Sequence, residues 1–182
     1  MNFKSKLVSV FGAGIIALSM VGGVAANNQV DVNVQVNKPE NGTLTYSLQA
    51  DGFSSATASF ESTSKSEGKL TLTVTDNRFT FEGWTITMSA TDFTSQGKKT
   101  INANALTVKP NGNVQIKNGG PDSPVAREAQ MSNQGAPVLQ ASRGQGSGEY
   151  VATYDATVAI PANTQAGVYK TTITVSQGAG PN

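Results

Sequence analysis

The chain has 182 residues, with 13 Lys and Arg against 12 Asp and Glu, and it contains neither histidine nor cysteine. That excludes a disulfide framework, a thiolate nucleophile, an ordinary Ser-His-Asp triad and the usual zinc or copper sites. No basic stripe is present to neutralise phosphates, so neither nucleic acid nor an anionic membrane surface is an expected partner.

The first 26 residues have the three parts of a secretory signal: "MNFKSK" with Lys4 and Lys6, the apolar run "LVSVFGAGIIALSMVGGV", and a small-residue end at Ala25-Ala26. Cleavage after Ala26 is expected. No stop-transfer charge cluster follows, so no membrane span is expected after signal cleavage. Removing Lys4 and Lys6 leaves 11 basic side chains against 12 acidic ones. Residues 27 to 182 then read as one exported domain long enough for a core of its own.

Period-two alternation runs along most of that domain. "VDVNVQVN" puts Val30, Val32, Val34 and Val36 on one face and Asp31, Asn33 and Gln35 on the other. "TLTYSLQA" repeats this with Leu44, Tyr46 and Leu48. "KLTLTVT" repeats it again with Leu70, Leu72 and Val74, and the intervening Thr residues suit a pleated face turned to water. Each segment predicts a half-buried antiparallel strand.

Next comes "VTDNRFTFEGWTITMSATDFT", which carries the only tryptophan of the chain. Asp76-Asn77-Arg78 predicts a β-turn with a surface Asp–Arg contact, although the Arg could also face an anionic ligand. Phe79 and Phe81 are odd-numbered, whereas Trp84, Ile86 and Met88 are even, with Glu82-Gly83 between them. A phase change at a glycine predicts a bulge or bend that aims Trp84. Facing inward, the indole would anchor the core; facing outward, it would offer a flat stacking surface. The apolar Ile86 and Met88 on the same face favour the core.

Residues 117 to 149 show no sustained period and are rich in Gly, Ser, Gln and Pro. A structureless loop of that length is improbable in a compact domain. "APVLQAS" is therefore expected to pack as a short strand through Val138 and Leu139, with "NGGPDSP" and "SRGQGSG" left mobile. This irregular loop reads as a surface insertion or a binding loop.

Near the carboxyl end, "YVATYDATVAI" aligns Tyr150, Ala152, Tyr154, Ala156, Val158 and Ile160, and "VYKTTITV" aligns Tyr169, Ile173 and Val175. Pro161 should stop the first strand and Gly167 should take a positive φ where the chain turns back, making a hairpin or corner. Tyr169, two residues after that glycine, resembles a tyrosine corner. The expected fold is all-β, a single antiparallel β-sandwich of immunoglobulin-like type with about eight to ten strands.

The 12 acids are scattered among Gly, Ser, Asn and Lys, and no spacing marks a carboxylate dyad or a calcium loop. No enzyme, cofactor or metal site is expected.

Two stretches resemble the WxL-type cell-wall-associated surface domain. "TVTDNRFTFEGWTITMSATDF" is similar to its first half, where a D-x-R turn leads into a G-W-x-hydrophobic strand. "GSGEYVATYDATVAIPANTQAGVYKTTITVSQGAGP" is similar to its closing half, and Leu106-Thr107-Val108 supplies a strand between them. The resemblance implies an exported, non-enzymatic module that associates non-covalently with the cell wall, with peptidoglycan or other surface proteins as partners. Trp84-Thr85-Ile86 stands where the first W-x-L motif belongs, so Trp84 and Ile86, with Asp76 and Arg78 before them, are the candidate binding residues. The last strand reads Thr172-Ile173-Thr174-Val175, without the tryptophan of a second motif.

The closing "IPANTQAGVY" is also similar to exported fimbrial and spore-coat subunits, which assemble by donating an amino-terminal strand. "VDVNVQVN" could serve as that donor or as the first strand of its own sandwich.

Overall fold

Alternating Leu, Val, Tyr and Thr write most of this chain into strands, and the computed structural model describes residues 16–17, 33–37, 39–95, 100–120 and 122–181. The chain divides into two units, Met1–Lys38 and Pro39–Asn182. In the first, β1 (Ile16–Ala17) pairs antiparallel with β2 (Asn33–Val34). Val30 and Val32 of the expected first strand lie outside the described residues, and Val36 is exposed.

The second unit opens with β3 (Leu44–Asp51), β4 (Ser64–Asp76), β5 (Trp84–Ala90), β6 (Phe93–Thr94) and β7 (Thr100–Ile101). After a 3-10 turn at Ala103–Ala105 come β8 (Leu106–Pro110), β9 (Gln115–Gly119), β10 (Val125–Ala126) and β11 (Ala129–Gln130). β12 (Ala136–Ala141), β13 (Gly148–Ile160) and β14 (Ile173–Ala179) complete it. No helix among the described residues is long and apolar enough to cross a membrane.

One sheet has the order β10-β12-β5-β14 and the other β11-β8-β13-β4-β3, every pairing antiparallel. β9 also pairs with β13, so β8 and β9 lie end to end along one edge of that central strand. The sheets meet through a single core. Leu70, Leu72 and Val74 of β4, Tyr150, Tyr154 and Ala156 of β13, and Trp84, Ile86 and Met88 of β5 are all fully buried in it. The Tyr154 hydroxyl crosses the layers to donate to the Val138 carbonyl at 2.7 Å. The fold is therefore an antiparallel sandwich, as alternation requires when each strand has one apolar face.

Three local expectations are sharpened and one is overturned. Within residues 117 to 149 the strand expected at "APVLQAS" forms as β12, and β10 and β11 join it, so that the chain shuttles between the two sheets. A register shift between Pro137 and Leu139 lets the adjacent Val138 and Leu139 both face inward, which strict alternation forbids. β13 and β14 belong to different sheets, so the segment between them is a corner and not a hairpin. Its left-handed residue is Asn163 at φ 62, while Gly167 is not among the positive-φ residues. An Asn tolerates that conformation because its short polar side chain bonds locally. The Tyr169 hydroxyl donates to the Gln165 carbonyl at 2.8 Å, the back-bond of a tyrosine corner.

Candidate functional site

β4 buries every second residue, and the series Leu70, Leu72, Val74 continues to Asp76. Asp76 thus stands on the core face, with only 2% of its side chain exposed. A buried carboxylate needs donors, and Arg78 supplies them two residues on. Its Nε donates to Oδ1 at 2.9 Å, its Nη2 to Oδ2 at 2.9 Å, and its backbone N–H to Oδ1 at 3.0 Å. The exposed turn contact expected from the sequence is instead a part-buried, two-pronged ion pair, of the kind only a planar guanidinium makes. The bond to Asp76 is the main influence holding the Arg78 guanidinium's pKa above its ordinary value.

The same guanidinium reaches the Gly83 carbonyl at 3.5 Å, and so ties the start of the turn to the start of β5. Gly83 sits at φ 75, and a Cβ there would stand 2.5 Å from the Ala141 carbonyl oxygen. Only glycine fits both the conformation and the approach. The result is a strand that begins with its first side chain, Trp84, turned inward.

Trp84 has no exposed surface. Its indole Nε1 donates to the Gly146 carbonyl at 3.0 Å, and its ring lies 6.1 Å from that of Tyr150 with the planes tilted by 53°. The Tyr150 hydroxyl in turn donates to the Ser147 carbonyl at 3.0 Å. Burial raises the Tyr150 pKa first, and the negative charges of Asp76 and Asp122 raise it further. Burial alone raises that of Tyr154.

The segment that receives these bonds is "SRGQGSG", expected from its composition to be mobile. It forms a fastened cap, with Gly144 N–H donating to the Phe81 carbonyl at 2.8 Å and Gln145 N–H to the Ser142 carbonyl at 3.0 Å. Gly146 at φ 90 passes so close that a Cβ would lie 2.6 Å from Trp84 Nε1.

The structure therefore gathers Asp76, Arg78 and Trp84 around one end of the sandwich and adds Gly83, Gly146 and Tyr150. Ile86 lies deeper on the same face of β5, also fully buried. Trp84 and Ile86 present no surface to a ligand, and both carboxylate oxygens of Asp76 are occupied by Arg78. The parity of β4 could have announced Asp76 as a core residue. Nothing local announces Gly146, whose partner lies 62 residues away.

What this end of the sandwich does expose is the crest of the loop between β4 and β5. Phe79 and Phe81 are 56% and 44% exposed. At the far end, an open apolar cleft between the β3 and β14 edges is lined by Leu48, Phe53, Phe93, Ile160, Tyr169 and Ile173.

None of the curated proteins matches the chain. Among solved structures, a family 123 glycoside hydrolase from Clostridium perfringens is similar at 16% identity and a TM-score of 0.42, over 75% of this chain and 25% of that one. A likeness this slight says nothing about activity. The family model for the WxL domain, described as a surface cell wall-binding domain, matches residues 31–177. That span contains both sheets except the last two residues of β14, together with the whole Asp76–Arg78–Trp84 cluster, and the chain belongs to the WxL family of surface cell wall-binding domains.

Proposed function

We propose that this domain is a non-enzymatic module that holds to the wall by non-covalent contact, with peptidoglycan as its ligand. The observation that carries the reading is the WxL family match over residues 31–177. The cluster's chemistry supports it. Asp76, the buried carboxylate of the cluster, is bound on both oxygens by Arg78, and the chain has no histidine or cysteine for general acid-base or nucleophilic work. The named tryptophan is then the keystone of the motif's architecture, setting the shape of the surrounding surface without touching the ligand itself.

The test is co-sedimentation of residues 27–182 with purified wall sacculi. Saturable retention at low salt is expected. Protein that stays in the supernatant while circular dichroism shows it folded overturns the reading.

A second reading, assembly into a surface filament by strand donation, has one feature in its favour. Among the described residues β3 pairs only with β4, which leaves its other edge open beside the apolar cleft. Light scattering on the purified chain decides it: a monomer at all concentrations removes the reading, and a concentration-dependent series of oligomers supports it.

A further inference from the structure

The loop from Asn77 to Gly83 is fastened along its length. Asn77 N–H donates to the Thr43 carbonyl, Arg78 grips Asp76, the Phe81 carbonyl accepts from Gly144, and the Gly83 carbonyl accepts from Arg78. Within this frame two bulky residues hold a conformation that bulky residues avoid. Phe79 lies at φ 54 and Phe81 at φ 53, both in the left-handed region. Thr80 between them turns its hydroxyl inward, where it is buried without a hydrogen-bond partner in the described structure. Its neighbours on either side point out. Left-handed strain in a phenylalanine persists only where the surroundings impose it, and it clusters at ligand clamps.

If folding alone chose this loop, glycine or asparagine would serve better at both positions, because neither carries the steric cost and neither exposes a phenyl ring. The phenyls gain nothing comparable from burial, since about half of each remains in water. They stand two residues apart, within roughly 7 Å along the chain, close enough for one short oligosaccharide to reach both. A wall polymer of pyranose rings offers apolar C–H faces, and exposed aromatic faces are the groups that take them.

We propose that Phe79 and Phe81 form a stacking platform for the glycan strands of peptidoglycan, held rigid from beneath by the Asp76–Arg78 pair and the Trp84 lock. The proposal rests on the wall-binding reading above and names the surface that carries it. The rigid frame explains why the motif's tryptophan is buried: it presents the two phenyls and does not itself stack.

The test uses sacculi stripped of protein and of attached secondary polymers, with unmodified residues 27–182 measured first. If the unmodified protein is not retained on stripped sacculi, the platform falls. Retention on unstripped walls alone would leave non-covalent wall association standing, remove peptidoglycan as its ligand, and point to a wall protein or an attached secondary polymer instead. Where the unmodified protein is retained, F79A/F81A should lose retention by about tenfold or more, while F79Y/F81Y, which keeps the aromatic faces, should hold it. F79N/F81N should lose retention at undiminished or higher thermal stability, because asparagine tolerates the left-handed backbone, and this separates lost binding from lost folding. Phe60→Ala serves as the control, since Phe60 is 87% exposed and carries no positive φ. Retention of F79N/F81N at the unmodified level, or equal losses in the Phe60 control, overturns the proposal while leaving the wall-binding reading intact.

Discussion

Trp84 Nε1 donates to the Gly146 carbonyl at 3.0 Å in a fully buried site, and so joins the first residue of β5 to a glycine-rich turn 62 residues later. The bond satisfies the only polar atom of the indole and fixes the cap that closes this end of the core.

Replacing Trp84 by alanine should cost about 3 to 5 kcal/mol, because it empties the largest buried side chain and orphans the Gly146 carbonyl. Trp84→Phe should cost less, having lost the donor and part of the volume. Urea denaturation followed by circular dichroism checks both. A Trp84→Ala protein of unchanged midpoint would contradict the keystone role.

Two neighbouring glycines separate backbone conformation from close approach. Gly144 at φ 88 has nothing within 4 Å of a would-be Cβ, whereas at Gly146, φ 90, that atom would strike both Trp84 Nε1 and the Ala141 Cβ at 2.6 Å. Gly144→Ala should therefore cost only the left-handed penalty, about 1 kcal/mol. Gly146→Ala should cost clearly more, about 2 to 4 kcal/mol. Equal losses in thermal melts would show that the cap does not press on the indole.

Asp76→Asn keeps the shape of the side chain but removes the charge that Arg78 grips, and should destabilise by roughly 2 to 3 kcal/mol. Removing both partners in D76N/R78Q should cost less than the sum of the single changes, since neither group is left opposite an unmatched partner. Strict additivity in a double-mutant cycle would mean that the pair is not coupled.

Stability should be flat near neutral pH and decline on the alkaline side. Burial raises the pKa of Tyr150 and Tyr154 in the folded protein. Their contribution is complete below about pH 10, the ordinary tyrosine range. It shrinks as pH rises beyond it, because the unfolded chain then loses protons that the folded chain keeps. For Tyr154 the loss approaches about 1.4 kcal/mol by pH 11. Tyr154→Phe should lower stability at pH 8, having lost the bond to Val138, yet show a smaller further drop at pH 11. An identical alkaline drop in both proteins would contradict the assignment.

Strand parity was legible wherever a side chain's fate depended on its neighbours two residues away. Leu70, Leu72 and Val74 face the core as their spacing requires, as do Trp84, Ile86 and Met88. The same count, carried one step further, reaches Asp76; reading "TDNR" as a surface turn concealed it. Residues 142 to 148 were illegible for a different reason. Their order comes from backbone bonds to Phe81 and Trp84, and glycine composition records the freedom of a segment without recording what removes it.

The order of residues alone specifies an antiparallel all-β protein with Trp84 beside Ile86 and Met88 on one strand face, and its D-x-R and G-W motifs point to the WxL family. Alternation is a local code, and motif spacing survives without coordinates. Folding in three dimensions was needed to show that Asp76 and Arg78 clasp below the surface, that Gly146 caps the indole, and that Phe79 and Phe81 are held outward at positive φ. Each of these depends on contacts with distant strands or on a backbone angle, and neither leaves a periodic trace in the order of side chains.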